Sequence, residues 1–172
     1  LADRDVPLSV RLEAMNPLLP GDASASGIPA VLFRWRVANP GKDPVRVSVA
    51  GTVVVPEDGT NEIVLAVADG VGSVSAAEEI REDGWNVSLD RYWRRFLADG
   101  TVGNSPANEP KRLPVRQTCV AFELAPGEAK PVPFVLAWRS PDRFAWPGRK
   151  PSTNRADIVG NFYATEYPSA AS

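Results

Sequence analysis

Hydrophobic and polar residues alternate along several short stretches of the chain, a pattern typical of half-buried β-strands. The first stretch has its apolar positions at Leu8, Val10, Leu12 and Ala14. The second covers residues 31–38 and carries Arg34 and Arg36 on its more polar face. A third stretch, residues 45–49, follows the polar turn sequence Asn39-Pro40-Gly41-Lys42-Asp43. Two alternating strands joined by such a turn predict an antiparallel hairpin.

The pattern continues along the rest of the chain. Further β-rich runs lie at residues 52–55, 62–67, 115–122 and 132–138. The last two flank the tight-turn sequence Ala125-Pro126-Gly127-Glu128, which predicts a second hairpin. Residues 21–27 and 69–83 are small and polar without a clear period, so we expect surface loops there. Residues 158–167 are aromatic and fit either a strand or a helix.

One segment, residues 88–99, has a helical period instead. It places on one face of a helix the side chains of Leu89, Tyr92, Trp93, Phe96 and Leu97. Ser88 suits the N-terminal cap and Gly100 the C-terminal cap. We expect this helix to pack on a sheet face, with Trp93 and Phe96 as its anchors. Six or more short strands with one helix predict a mainly β protein, an antiparallel β-sandwich.

Composition excludes several classes of function. The chain has 172 residues, a length typical of one domain, and a net charge of −2 from 19 basic and 21 acidic residues. Because no basic stripe exists, nucleic acid and anionic membranes are poor partners. The chain has no histidine and a single cysteine, Cys119. Histidine-dependent catalysis, nearly all zinc sites and an internal disulfide are therefore excluded.

The sequence carries no nucleotide, flavin or metal motif, so we expect no cofactor. No apolar run reaches transmembrane length. The start of the chain does not have the pattern of a signal peptide, which together with the single cysteine favours a cytoplasmic location. Because the first residue is Leu1 rather than Met, we expect a fragment or a trimmed chain.

Without histidine, acid–base chemistry rests mainly on carboxylates, so the acidic residues are the first candidates for chemistry. Among the acidic residues, Glu13 on the first strand and Asp99 after the helix have the positions that most suggest a role beyond solvation. A structural role is nevertheless favoured for both. Cys119 lies inside a strand and, without a histidine to activate it, fits a small buried apolar side chain. The sequon Asn86-Val87-Ser88 is interpreted as a chance match, since Ser88 can cap the helix.

The tryptophans and the basic stretch 139–155 are candidates for binding. Trp35, Trp93 and Trp138 fall on apolar faces, which predicts core or interface positions, whereas Trp85 and Trp146 lie in expected loops. Trp146 stands at the centre of the basic stretch, which we expect to dock on a partner domain. The alternative is a solvated loop whose tryptophan folds back onto the sandwich.

Several motifs resemble a known family when they are taken in order. They are residues 12–20, 28–30 and 45–52, then Tyr92-Trp93-Arg94-Arg95-Phe96-Leu97-Ala98-Asp99-Gly100, then residues 124–128, 133–141 and 160–168. Their order and spacing are similar to the N-terminal domain of glycoside hydrolase family 116, the family of bile-acid β-glucosidase and non-lysosomal glucosylceramidase.

The resemblance implies a β-sandwich whose partner is a helical (α/α)₆ catalytic domain of the same polypeptide. In the family that domain holds the catalytic carboxylates and binds the glucoside or glucosylceramide substrate, so this chain alone is expected to be inactive. The resemblance divides the chain into a sandwich at residues 1–157, expected to lack its first strands, and an exit segment at residues 158–172. Residues expected at a domain interface or facing the sugar are Trp85, Asp99, Arg143, Trp146 and Tyr163.

Two other classes of function remain open at this point. One is a free-standing carbohydrate-binding or adhesion sandwich that exposes Trp85 or Trp146. The other is a small hydrolase that uses its own acidic residues. A catalytic domain encoded after Ser172 would distinguish the first reading from these two.

Overall fold

A computed structural model describes residues 6–56, 61–81, 93–104, 112–142 and 158–172. Its strands are β1 (Ser9–Met15), β2 (Ala30–Ala38), β3 (Val45–Val54), β4 (Glu62–Val67), β5 (Ser73–Arg81), β6 (Arg112–Leu124) and β7 (Ala129–Arg139). Its helical segments are α1 (Ala23–Ser26), α2 (residues 93–99) and α3 (Tyr163–Glu166).

The strands form two antiparallel sheets. The four-stranded sheet has the order β1-β2-β7-β4, and the three-stranded sheet has the order β3-β6-β5. The predicted mainly β fold with a sandwich of antiparallel sheets is confirmed.

The core lies between the two sheets because one side of each strand is apolar. The four-stranded sheet contributes Val37, Val132 and Phe134, and the three-stranded sheet contributes Val47, Val120, Phe122 and Leu124. Full burial of an apolar side chain of this size stabilises a fold by about 1.5–3 kcal/mol. At one point the sheets are also joined by a hydrogen bond, which the Thr118 hydroxyl donates to the Leu65 carbonyl over 2.6 Å.

Both predicted hairpins are wrong, although the turns themselves are present. β2 pairs with β1 and β7, whereas β3 pairs with β6, so the link 39–44 passes from one sheet to the other. The turn at residues 125–128 likewise leads from β6 in the three-stranded sheet to β7 in the four-stranded sheet. A period of two shows which face of a strand is apolar, and it fits a crossover between facing sheets as well as a hairpin.

The two crossovers meet at Asn39, which is only 1% exposed. Its side-chain amide donates to the carbonyl of Asp43 at 2.8 Å and to those of Leu124 and Ala125 at 3.2 Å, and its Oδ1 accepts from the Gly41 amide at 3.0 Å. Its backbone N–H donates to Glu128, and its carbonyl accepts from Gly127. One residue therefore ties both crossovers together.

Two segments expected as loops contain regular structure. Residues 23–26 form the helical turn α1, because the Asp22 carboxylate accepts the amide of Ala25 at 2.8 Å and caps it. Residues 73–81 form β5, an edge strand with an irregularity in its pairing between Ala77 and Glu79. The run at residues 52–55 belongs largely to β3, and the aromatic C-terminal run contains the short helix α3.

Helix α2 ends as the sequence predicts. Gly100 has a φ of +70° and its amide donates to the Phe96 carbonyl at 2.8 Å. The predicted beginning of this helix, including Ser88, lies outside the described residues. The expectation that Trp93 anchors the helix is wrong, because Trp93 is 50% exposed. Its ring meets the edge of the half-buried Phe96 ring, with the two centroids 5.9 Å apart.

Residues 100–104, here called the covering segment, cross the outer face of the three-stranded sheet. The Gly100 carbonyl accepts from the Cys119 thiol of β6, and the Val102 amide donates to the Ser75 hydroxyl of β5. The Asn104 Oδ1 accepts the amides of Glu78 and Glu79. Beneath this segment Cys119 is 1% exposed, so its predicted burial is confirmed. Burial raises the pKa of the Cys119 thiol.

Replacing Asn39 should destabilise the sandwich at the crossover. In Asn39→Ala the buried carbonyl of Leu124 and the part-buried carbonyls of Asp43 and Ala125 lose their donor, so we expect a loss of about 3 kcal/mol in the free energy of unfolding, measured by urea titration. Asn39→Asp should lose a similar amount because a carboxylate cannot donate. The exposed Asn16, which bonds one carbonyl at 2.9 Å, provides the control, and its alanine variant should lose no more than about 1 kcal/mol. Equal losses at the two positions would contradict this role of Asn39.

A glycine pair tests how closely α2 approaches the sheet. Gly100 and Gly127 both have positive φ, at +70° and +74°, but only a Cβ at Gly100 would meet a neighbour, the Ser48 hydroxyl at 2.4 Å. Gly127→Ala should cost about 1 kcal/mol from backbone strain alone. Gly100→Ala should cost up to about 1 kcal/mol more than Gly127→Ala, since the Ser48 hydroxyl must rotate away and the new Cβ then lies 3.4 Å from the Ser48 Cβ. Thermal unfolding of both variants gives the comparison, and equal losses would show that α2 does not rest on Ser48.

Candidate domain-interface site

Five residues are expected at a domain interface or facing a sugar. Trp85, Arg143 and Trp146 lie outside the described residues, so their roles stay predictions. Asp99 and Tyr163 are described, and each makes contacts within this chain. Asp99 lies beside the three-stranded sheet, whereas Tyr163 contacts the end of β7 in the four-stranded sheet. No contact among the described residues brings the two together.

Asp99 occupies the end of α2 and holds the turn that follows. Its Oδ1 accepts the backbone amide of Thr101 at 2.9 Å and the Thr101 hydroxyl at 2.7 Å, and its carbonyl accepts from Arg46 at 3.2 Å. The hydrogen bond from the Thr101 hydroxyl, with that from the Thr101 amide and the nearby Arg95 and Arg46 charges, lowers the pKa of the Asp99 carboxyl. The carboxylate therefore stays ionised and stabilises a turn.

Glu13, the other candidate acid, lies on the outer side of the four-stranded sheet. It faces Arg34 in the register of β1 and β2 and accepts from the Arg34 Nε at 2.7 Å, with Arg11 3.4 Å away. The hydrogen bond from Arg34 is the main cause that lowers the pKa of Glu13. A general acid for sugar hydrolysis needs a raised pKa, so neither acid has the electrostatics for that role.

Tyr163 belongs to a C-terminal segment that is attached to the sandwich. Its hydroxyl accepts from the Ser140 amide at 3.0 Å and lies 3.2 Å from the Ser140 carbonyl, which also accepts from Asn161 at 2.7 Å. Further along, Arg139 donates to the carbonyl of Tyr167 at 3.1 Å, and Glu62 accepts the amide of Ala170 at 3.0 Å. Residues 158–172 thus lie along the ends of β4 and β7.

Sequence reasoning did not find the pair that holds this segment. Arg139 and Glu62 are register partners on β7 and β4, and their side chains lie 3.5 Å apart. Each also binds the C-terminal segment, Arg139 through the Tyr167 carbonyl and Glu62 through the Ala170 amide. No local pattern connects two residues so far apart in the sequence, because only the sheet register makes them neighbours.

A cleft opens between the sheets beside β3. It has a volume of about 280 Å³ and is named the inter-sheet cleft. Its lining residues are Leu12, Phe33, Trp35, Ala50, Gly51, Thr52, Val53, Leu65, Phe134 and Leu136. The sequence predicted apolar faces for most of these strands, but it did not indicate that the faces leave a space between them.

Neither a metal site nor a membrane helix occurs in the part of the chain that the structure describes. Those residues contain no group of three or more His, Cys, Asp or Glu side chains placed to hold a metal ion. None of the helices found there has the length and apolar character needed to cross a bilayer.

The N-terminal part of the chain, which holds β1, α1, β2 and β3, is similar to a known family. Residues 1–63 match the family model described as beta-glucosidase 2, glycosyl-hydrolase family 116 N-term. The match confirms the resemblance to the N-terminal domain of this glycoside hydrolase family over those residues, which end within β4. No curated protein matches the chain.

The contact between Asp99 and Thr101 predicts a measurable pKa change. In Thr101→Val the hydroxyl donor is lost, so the pKa of Asp99 should rise toward its ordinary value in a carboxyl ¹³C NMR titration. Because the folded-state pKa is depressed, ionised Asp99 stabilises the fold above its unfolded pKa, and this contribution is lost as the pH falls through the folded value. Thr165→Val removes a hydroxyl that bonds the Phe162 carbonyl and should leave Asp99 unchanged. An unshifted Asp99 in Thr101→Val would refute the assignment.

Proposed function

We propose that this chain is the non-catalytic N-terminal domain of a β-glucosidase or glucosylceramidase of the glycoside hydrolase type. It packs on a helical (α/α)₆ catalytic domain of the same polypeptide and forms part of the wall around the sugar site. The observation that carries this proposal is the family match over residues 1–63. The sandwich fold, which agrees with the expectation for such a domain, supports it.

The placement of the candidate acids supports a non-catalytic role. Retaining glycosidases hold two carboxyl groups about 5–5.5 Å apart across the scissile bond, and inverting ones about 6.5–9.5 Å apart. Glu13 is ion-paired on the outer side of the four-stranded sheet, whereas Asp99 lies beside Arg46 of β3 in the other sheet. Both carboxylates are engaged by hydrogen bonds within the fold, and the pKa of each is lowered.

The C-terminal segment would lead from the sandwich to the catalytic domain. Residues 158–172 are the proposed exit toward the catalytic domain, and their bonds to Ser140, Arg139 and Glu62 would fix where that exit lies. Tyr163 would then act at the interface by holding the exit segment rather than by touching sugar. Trp85, Arg143 and Trp146 remain proposed interface residues, with Trp146 at the centre of the contact.

Hydrolysis assays test the proposal directly. With an aryl β-glucoside and with glucosylceramide at pH 5 to 7, the 172-residue chain should show no turnover. A polypeptide that continues into the helical domain should hydrolyse the aryl β-glucoside. Glu13→Gln and Asp99→Asn in that longer polypeptide should leave its turnover number within about threefold, since neither acid would take part in the chemistry.

Two results would contradict the proposal. Turnover by the 172-residue chain that disappears in Asp99→Asn or Glu13→Gln would make it a hydrolase in its own right. A longer polypeptide without any glycosidase activity would remove the reason for placing this chain in such an enzyme.

A further inference from the structure

Exposed apolar side chains gather at one end of the sandwich. β1 and β7 stop at this end and β2 and β4 begin there, since Met15 pairs with Leu32 and Arg139 with Glu62. The exposed large apolar residues here, together named the apolar end, are Met15, Leu18, Leu19, Leu32, Val135 and Phe162. At the opposite end of the sandwich, the links 39–44 and 125–128 contain no exposed large apolar residue.

Three of these side chains form a row across the outer face of the four-stranded sheet. Leu32 of β2 is the register partner of Met15 on β1 and of Val135 on β7. The adjacent side chains of Phe33 and Phe134 belong to the core, so the alternation of a strand turns Leu32 and Val135 outward. The side chains of this row have no hydrogen-bond donor to offer a sugar. They therefore fit an apolar protein surface better than a carbohydrate.

The loop between β1 and β2 meets the C-terminal segment at the same end. The Leu19 amide donates to the Ser26 hydroxyl at 2.8 Å, which folds the loop back beside α1. A Cβ at Gly27, the residue after α1, would lie 3.9 Å from the Tyr163 Cβ. Phe162 precedes Tyr163 in the chain. The exposed leucines of the loop and the exposed ring of Phe162 thus belong to one surface.

The C-terminal segment stays at this end along its length. The Asn161 amide donates to the Pro141 carbonyl at 3.1 Å, and the Ala170 amide donates to the Glu62 carboxylate at 3.0 Å. Pro141 follows the end of β7, and Glu62 begins β4. In the proposed function the catalytic domain follows this segment. The first part of that domain would then start beside the apolar end.

We propose that the apolar end is the surface on which the helical catalytic domain of the same polypeptide packs. This inference rests on the proposed function and adds the place of the domain contact to it. Contiguous exposed apolar patches on soluble domains mark interaction sites, and this patch lies beside the segment that leads to the partner. The outer face of the other sheet is instead crossed by the covering segment.

Two exposed leucines provide a matched test. Leu18 at the apolar end is 76% exposed, and Leu97 on α2 is 78% exposed. In a polypeptide that continues into the helical domain, Leu18→Glu should raise the rate of proteolysis between the two domains by at least about tenfold, because burial of an unpaired carboxylate weakens the contact. Leu97→Glu should leave that rate unchanged. In the 172-residue chain both variants should melt within about 2 °C of the unsubstituted chain.

Hydrogen exchange of the unsubstituted protein gives a second measurement. Amides of residues 16–27 and 160–167 should exchange at least about tenfold more slowly in the longer polypeptide than in the 172-residue chain. Amides of the links 39–44 and 125–128, at the opposite end, should exchange at the same rate in both. Slower exchange at both ends, or at neither, would overturn the proposal.

The glycosidase activity of the longer polypeptide separates this inference from the proposed function. An active polypeptide that is cleaved equally fast in Leu18→Glu and Leu97→Glu would overturn the apolar end as the domain contact and leave the proposed function standing. An inactive polypeptide with the effect confined to Leu18→Glu would support the contact and contradict the proposed function. A dimer of the 172-residue chain that dissociates only in Leu18→Glu, with no slower exchange in the longer polypeptide, would assign this surface to a second copy and overturn the proposal.

Discussion

The buried amide of Asn39 is the interaction on which the sandwich depends. The chain changes sheets four times, after β2, β3, β4 and β6, and the first and last of these changes occur within reach of this side chain. The buried carbonyl of Leu124 and the carbonyls of Asp43 and Ala125 accept from this side chain, so backbone groups at the two links find partners within the protein. Because the links 39–44 and 125–128 are bonded to each other, the two sheets keep a fixed position relative to one another. The apolar sides of β2, β3, β6 and β7 can therefore face each other across a single core.

Local pattern was sufficient to find most of the strands and insufficient to find which strands pair. Alternation identified β1, β2 and the first part of β3, and β-rich runs identified β4, β6 and β7, because each buries one face against the other sheet. It failed for β5, where Ser75, Ala76 and Ala77 are small and the outer face is buried under the covering segment rather than exposed to water. The hairpins failed for a different reason, since pairing between strands far apart in the chain leaves no mark on the period of either strand.

The candidate site also combines features that local sequence predicts with features that depend on distant contacts. The Gly100 cap follows from short-range chemistry and is present. Cys119 is buried as its place in a strand predicted, but the covering segment that buries it was not predicted. The bond from Thr101 to Asp99 spans two residues and is a turn type that the sequence Asp-Gly-Thr favours. The exposure of Trp93 could not be predicted from the helical pattern, because a stripe of apolar residues does not show how much of the stripe other elements will cover. The inter-sheet cleft depends on how two sheets are offset, which no single segment encodes.

The pairing of distant strands has a consequence for how the chain is made. β2 finds its partner in β7 and β3 in β6, so the first strands cannot complete their ladders until residue 139 is available. At a synthesis rate of about 5–20 residues per second, the roughly one hundred residues between β2 and the end of β7 take about 5–20 s. During that time the apolar faces of β1 to β3 lack their partners across the core, and exposed apolar surface of this kind is prone to aggregation. Residues 1–63, which match the family model, therefore gain their partners across the core only after the strands β6 and β7 have been made.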